Sequence, residues 1–222
     1  MDGNGRWARE KGLPRRDGHR AGAESVREVV EACKKIGVRF LTLFAFSSEN
    51  WNRPKPEIRA LMALLKEFLR VKTPEMKEQG VRLHAIGRLK YLPADCRKEL
   101  NSAIEQTASN TEIDVILALS YGSREEIVDA ARQLAREAAS GVLDPEDIDN
   151  EMMSQRLYTS NIPDPDLLIR TSGERRISNF LLWQISYAEI VINDKFWPDF
   201  RESDLNEAIA EYAQRNRRFG SI

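Results

Sequence analysis

Short apolar runs alternate along the chain with longer amphipathic stretches. Phe40 to Phe46 (FLTLFAF), Val81 to Ile86 (VRLHAI), Ile113 to Leu119 (IDVILAL), Leu167 to Ile169 and Ile190 to Ile192 have the length and the β-branched or aromatic content of strands. Between them the apolar positions move to helical spacing. Val26, Val29, Val30, Cys33 and Ile36 share one face, as do Leu61, Leu64, Leu65, Phe68 and Leu69, and helical patterns also cover Ala94 to Thr107, Arg124 to Ala139 and Asp204 to Arg217. Leu143 to Asp149 (LDPEDID) reads as a turn leading into a helix. The alternation predicts an α/β fold with a mostly parallel central sheet flanked by helices. No internal repeat, low-complexity tract or linker interrupts it, so the 222 residues read as a single domain.

Composition narrows the function classes. With 41% apolar residues the chain can build a sizeable core, and 34 basic against 35 acidic side chains leave no global basic field for nucleic acid. Cys33 and Cys96 lack ligand spacing and form no disulfide framework, which fits a reducing cytoplasm. No run approaches the roughly 18 apolar residues of a membrane span, although handling of a lipid stays open.

Candidate chemistry gathers at three places. In Asp2-Gly3-Asn4-Gly5-Arg6-Trp7 the glycines let backbone N–H groups curve toward an anion, Arg6 adds charge and Asp2 offers a hard oxygen to Mg²⁺. The competing reading is a tail containing a turn, against which Trp7 argues. Nearby, His19 either meets a diphosphate or is an exposed helix-start histidine. The second place is Ser47-Ser48-Glu49-Asn50-Trp51-Asn52-Arg53, directly after the clearest strand, where ligands of parallel sheets sit. A helix N-cap at Ser47 or Ser48 competes, but leaves Trp51 and Arg53 unexplained. The third is the loop after Leu168 and Ile169, where Arg170, Arg175 and Arg176 lie among Thr171, Ser172 and Ser178, a combination suited to diphosphate. A solvated basic loop is its plain alternative. The acidic run from Asp144 to Glu151 reads as a solvated helix start, and His84 needs only a packing role. There is no nucleophile elbow, GxxxxGK[ST] loop or GxGxxG sequence.

Taken together, the blocks MDGNGRWA, GHRAG, LTLFAFSSENWNRP, IRTSGERRISNFLLWQISYAE and WPDF, with RRFG near the end, closely resemble the bacterial undecaprenyl diphosphate synthase family of cis-prenyltransferases. The resemblance spans essentially the whole chain. It implies a cis-prenyltransferase fold with a hydrophobic tunnel, a homodimer, and successive condensation of isopentenyl diphosphate onto farnesyl diphosphate. The product would be a long polyprenyl diphosphate, undecaprenyl diphosphate, the lipid carrier precursor for cell-wall polysaccharide, made in the cytoplasm and delivered to the membrane. It also implies the absence of a DDxxD motif, which this sequence indeed lacks.

By position, the resemblance makes Asp2 the Mg²⁺-binding catalytic aspartate. Gly3, Asn4, Gly5, Arg6, Trp7, Arg15 and His19 would surround the allylic diphosphate, and Ser47, Ser48, Glu49, Trp51 and Arg53 would line the substrate site. Asn50 matches a proposed proton acceptor; an amide is a poor base, so orienting a substrate group is the chemically sounder expectation. Isopentenyl diphosphate would lie on Arg170, Arg176, Ile177 and Ser178, and Glu189 matches a second metal carboxylate. Arg218-Phe219-Gly220 matches an element crossing the dimer interface. For the tunnel the family points to Leu61, Leu64, Leu65, Phe68 and the strand from Ile113 to Leu119, all of which also suit a core. In that family the MDGNGRW block follows a short apolar strand. With no residue before Met1, the expectation is a sheet lacking that first strand and a Met1 internal to a longer chain. Two rival classes are weaker: a silent subunit would have lost Asp2, Asn50, Arg53 and Glu189, and a nucleotide-binding module would show a base or ribose site.

Overall fold

A computed structural model describes residues 1–215. Its helices are α1 (Asn4–Glu10), α2 (Arg15–Lys35), α3 (Lys55–Glu78), α4 (Ala94–Thr107), α5 (Ser123–Ala139), α6 (Asn150–Ser154) and α7 (Glu202–Ala213). The strands are β1 (Phe40–Ser47), β2 (Val81–Ile86), β3 (Ile113–Tyr121), β4 (Leu167–Arg170) and β5 (Glu189–Ile192). All strand pairs are parallel, as the alternation of elements requires. Central β3 is buried at every position, which is why it reads as a continuous apolar run. Its single charge, Asp114, is 1% exposed and meets Arg82 and His84, the histidine Nε2 lying 2.6 Å from the carboxylate. Helices α2, α3 and α4 cover one face through Val29, Leu69 and Leu100, while Phe180, Leu181 and Ile185 cover the other beside Ile116 and Tyr121. The LDPEDID segment forms a 3-10 turn at Pro145–Asp147 before α6.

Two differences from the sequence reading matter. The opening block is neither a tail nor a bare glycine turn, since helix α1 starts at Asn4 behind Gly3, whose φ of +91° suits only a residue without Cβ. The helix is held where Trp7 Nε1–H donates to Asp199 (2.8 Å) and the Trp197 N–H donates to the Asp2 carbonyl (2.9 Å). Second, the sheet is not continuous: β1-β3-β2 and β4-β5 are separate ladders. Among the described residues β1 pairs only with β3 and β4 only with β5, and a cavity of about 1340 Å³ lies between, bordered by Phe40 to Ala45 and by Leu167 to Arg170. Met1 borders it too. Desolvation of its α-amino group lowers the pKa to about 6.

The GHRAG block has a packing reason. A Cβ on Gly18 would stand 2.0 Å from the Asn4 carbonyl oxygen, and one on Gly22 2.5 Å from Asn4 Oδ1, so α2 accepts the first turn of α1 only because both are glycine. The backbone of Asn4 cannot swing aside as a side chain would. Gly18→Ala is therefore expected to cost about 1–3 kcal/mol and to lower turnover, because Asp2 moves with α1. Thermal melts together with kcat measure both, and an unchanged pair would refute this seam.

Candidate active site

The polar residues collect where β1 and β4 end at the mouth of the large cavity. Asp2 Oδ1 accepts the Gly3 N–H (2.7 Å), Oδ2 accepts Arg170 Nη2 (3.0 Å), and Arg6 lies 3.5 Å away. Partial burial pushes the Asp2 carboxyl up, but the Arg170 hydrogen bond, the Gly3 N–H and the charges of Arg170 and Arg6 outweigh it and hold the group below its usual range. Asp2 is thus an anion at neutral pH. Arg170 also donates from Nη1 to Ser178 Oγ (2.9 Å) and to the Arg176 carbonyl. Arg6 pairs with Glu174 at 2.8 Å, and exposed Arg176 pairs with the same carboxylate.

A second cationic cluster stands on α2 and the start of α3. Arg15 and Arg53 both reach Glu57, at 3.2 and 3.0 Å, beside His19. Among the described residues Nε2 of His19 is buried without a partner. Burial, then the charges of Arg15 and Arg53, pull its pKa from 6.5 down to about 4, so the imidazole is neutral and its free nitrogen awaits a hydrogen-bonding ligand. A base held low in the folded state contributes full stability above its ordinary pKa and loses it as pH falls toward the folded value. Stability is expected to decline between pH 6.5 and about 4, with a shallower slope in His19→Gln. Parallel melting profiles of the two proteins across that window would contradict this.

The turn after β1 is capped and also borders the cavity. Asn50 Oδ1 accepts the Ser47 N–H at 3.2 Å, a capping contact, and both residues border the cavity with Arg53. With that oxygen occupied, Asn50 has its Nδ2 hydrogens to offer. Trp51 faces inward: Nε1–H donates to Ser120 Oγ (2.9 Å) and the ring meets Phe46 edge-on, so it braces the turn. Ser48 Oγ lies 3.3 Å from Glu49, whose Oε1 accepts from Asn179 (2.9 Å).

Asp2, Gly3, Asn4, Gly5, Arg6, Arg15, His19, Ser47, Asn50, Arg53, Arg170, Ile177 and Ser178 border one cavity, whereas Trp7, Ser48, Glu49, Trp51 and Arg176 stand behind or beside it. Glu189 is elsewhere. It opens β5 opposite Leu167, while Arg170 pairs with Ile192, so three residue steps of about 3.3 Å each separate it from the end that carries Arg170 and Asp2. Its carboxylate pairs with Arg215 at 2.7 Å. Among the described residues no three His, Cys, Asp or Glu side chains gather as a metal cage. Asp2 alone still suits Mg²⁺, which binds through one or two carboxylates plus substrate phosphates; Glu189 does not share an ion with Asp2 inside one chain. Arg218, Phe219 and Gly220 lie outside the described residues.

The sequence reading gave no role to Glu57, Glu174 or Asn179, and placed Thr171 only among the hydroxyls beside Arg170. Thr171 Oγ1 accepts the Asp2 N–H at 3.1 Å. Only Glu57 had a signal, four residues after Arg53 on a helix.

Two cationic clusters flank one carboxylate at the mouth of a largely apolar cavity, the geometry of a transferase for substrates with anionic heads and hydrocarbon tails. The prenyltransferase family model, undecaprenyl diphosphate synthase, matches residues 1–220. An isoprenyl transferase of Heliobacterium mobile is 51% identical over 222 residues, all of this chain and 85% of that protein; one from Brucella suis biovar 1 is 53% identical, covering 100% and 87%. The crystal structure of lavandulyl diphosphate synthase from Lavandula x intermedia in complex with dimethylallyl diphosphate superimposes with a TM-score of 0.96 at 38% identity, over 100% of this chain and 95% of that one. The chain belongs to the undecaprenyl diphosphate synthase family of prenyltransferases and is a cis-prenyl chain-elongating enzyme.

Proposed function

We propose that this enzyme adds isopentenyl diphosphate repeatedly to farnesyl diphosphate, with Mg²⁺, to make undecaprenyl diphosphate for cell-wall polysaccharide assembly. It works as a cytoplasmic homodimer that releases its product at the membrane surface; no helix among the described residues is long and apolar enough to cross a membrane. The observation carrying this reading is the pair of cationic clusters on either side of Asp2.

Arg15, Arg53 and His19 take the allylic diphosphate, and Arg170, Arg176 and Ser178 take that of isopentenyl diphosphate. The allylic carbon–oxygen bond breaks with its electron pair leaving on diphosphate; the isopentenyl double bond forms the new carbon–carbon bond, and a proton leaves the neighbouring carbon to the released diphosphate. Asp2 would hold Mg²⁺, which supplies charge neutralisation for the departing diphosphate. Asn50 orients a substrate oxygen through Nδ2, since its carbonyl is already bonded to Ser47. The lengthening hydrocarbon enters apolar space: Leu61 borders the large cavity, Phe68, Val115 and Leu117 border a smaller one of about 30 Å³ between α2, α3 and the sheet, and Leu65 packs on the core beside them.

Incubation with farnesyl diphosphate, labelled isopentenyl diphosphate and Mg²⁺, followed by product sizing, tests the proposal. A ladder ending at undecaprenyl diphosphate, abolished by chelator, is expected. Full turnover in excess chelator removes the metal, and a shorter end point removes the undecaprenyl assignment.

A further inference from the structure

Beside the proposed isopentenyl diphosphate position lies a residue that does not itself border the cavity. The loop after β4 turns back through left-handed backbone at Ser178, Asn179 and Leu181, with φ of +55°, +60° and +48°. Asn is among the few side chains that accept such a conformation readily. Asn179 then makes contacts to two separate segments, the start of α5 and the turn after β1. Its carbonyl accepts the Ser123 N–H (2.9 Å) and its Oδ1 the Arg124 N–H (2.8 Å), tying the loop to the start of α5. Its Nδ2 donates to Glu49 Oε1 (2.9 Å) and to Glu125 Oε2 (3.1 Å). Glu49 neighbours Asn50 on the turn after β1; Ser178, one residue before Asn179, receives Arg170. The fit is close, because a Cβ on Gly122 would stand 2.7 Å from Asn179 Nδ2 and 2.5 Å from Ser48 Oγ.

We propose that Asn179 is a positioning residue that clamps the loop carrying Arg176, Ile177 and Ser178 to the turn carrying Asn50, and so sets the spacing between the two substrates. This rests on the isopentenyl diphosphate position given above. One amide does the work because its two ends differ. The oxygen takes the Arg124 N–H of α5, while the nitrogen bridges two carboxylates that would otherwise repel each other. Loss of the nitrogen alone frees Glu49 and leaves the loop docked on α5 without its link to the Asn50 turn.

Steady-state kinetics and melts of Asn179→Gly, Asn179→Asp and Arg176→Ala test the clamp. Gly keeps the left-handed backbone and removes the side chain; Asp keeps both the backbone and the acceptor for Arg124 but replaces the bridging donor with a third carboxylate. Both are expected to raise KM for isopentenyl diphosphate and to lower kcat, each by about tenfold or more, as misplacement of reacting groups does. KM for the allylic substrate is expected to change less than about twofold. A residue that merely caps α5 gives a different result, since a carboxylate at this position would then serve as well as the native amide, so parental kinetics in Asn179→Asp overturn the proposal even if Asn179→Gly fails to fold. If Arg176→Ala raises the isopentenyl KM while both Asn179 variants are normal, the clamp is wrong and the substrate position stands. If Arg176→Ala changes neither KM, the substrate position falls and the clamp with it.

Discussion

Asp2→Ala is expected to lower kcat by about two to three orders of magnitude, the scale seen when a charge-stabilising group leaves an active site, while the fold survives. The carboxylate belongs to no core. Its side chain is 36% exposed, and what it organises is the end of Arg170, which keeps Ser178 and the Arg176 carbonyl as partners after the substitution. Held below its usual pKa, Asp2 contributes some stability at neutral pH that disappears as pH falls through the folded-state value. At this exposure the contribution is small after solvent screening, so the melting midpoint at pH 7 is expected to move only a few degrees. Asp2→Asn removes the charge at nearly constant size: its single oxygen accepts from only one of Gly3 and Arg170, and it cannot serve a cation as an anion does. Near-parental kcat in either variant, measured in single turnover, would take Asp2 out of the chemistry.

A protein extended by an eight-residue Val/Ile-rich strand placed directly before Met1 is expected to melt about 10 °C higher than the 222-residue chain. Among the described residues β1 and β4 each leave one edge unpaired beside the same cavity of about 1340 Å³. We propose that this slot takes a strand leading into Met1, the element the sequence reading expected upstream. Filling it would pair backbone groups on both sides, bury Phe44 and Leu168 more deeply, and replace a desolvated amine, whose pKa burial lowers to about 6, by an uncharged amide. At about 1 kcal/mol per buried hydrogen bond, four or five such bonds shift the midpoint of a protein this size by roughly 10 °C. Turnover is expected to rise as well, because Asp2 would then sit inside a continuous chain. The aligned relatives are longer than this chain, which covers 85% of one and 87% of another. A strand with alternate Lys residues is the control: an equal effect from it, or none from the apolar strand, would defeat the proposal.

How much of this was legible beforehand depends on the range of the interaction concerned. β1, β2 and β3 were readable because a strand buried on one or both faces imprints its pattern locally, and the GHRAG block was visible although its reason, the approach of α1 to Gly18 and Gly22, was not. Helix α1 escaped detection because Gly3 and Gly5 flank its first residue and its only fully buried side chain is Ala8. The division of the sheet could not be read from hydropathy, which marks strands but not the partners of their edges. Glu57 and Asn179 stayed hidden for the same reason: an acid on an amphipathic helix and an amide in a polar loop look solvated until other segments arrive. Glu189 misled in the opposite sense, its motif being intact while the register of β4 and β5 sets it at the far end of the pair from Asp2.

Five arginines of the site already have an anion within the protein. Arg15 and Arg53 share Glu57, Arg6 and Arg176 share Glu174, and Arg170 holds Asp2. On the proposed reading diphosphate enters by exchange with these carboxylates, so affinity reflects the difference between two ion pairings instead of the whole strength of one. The arrangement prevents the clustered cations from repelling one another while the site waits. On the same reading the displaced carboxylates are left short of counter-charge once both diphosphates are seated, so substrate binding would be accompanied by uptake of cations.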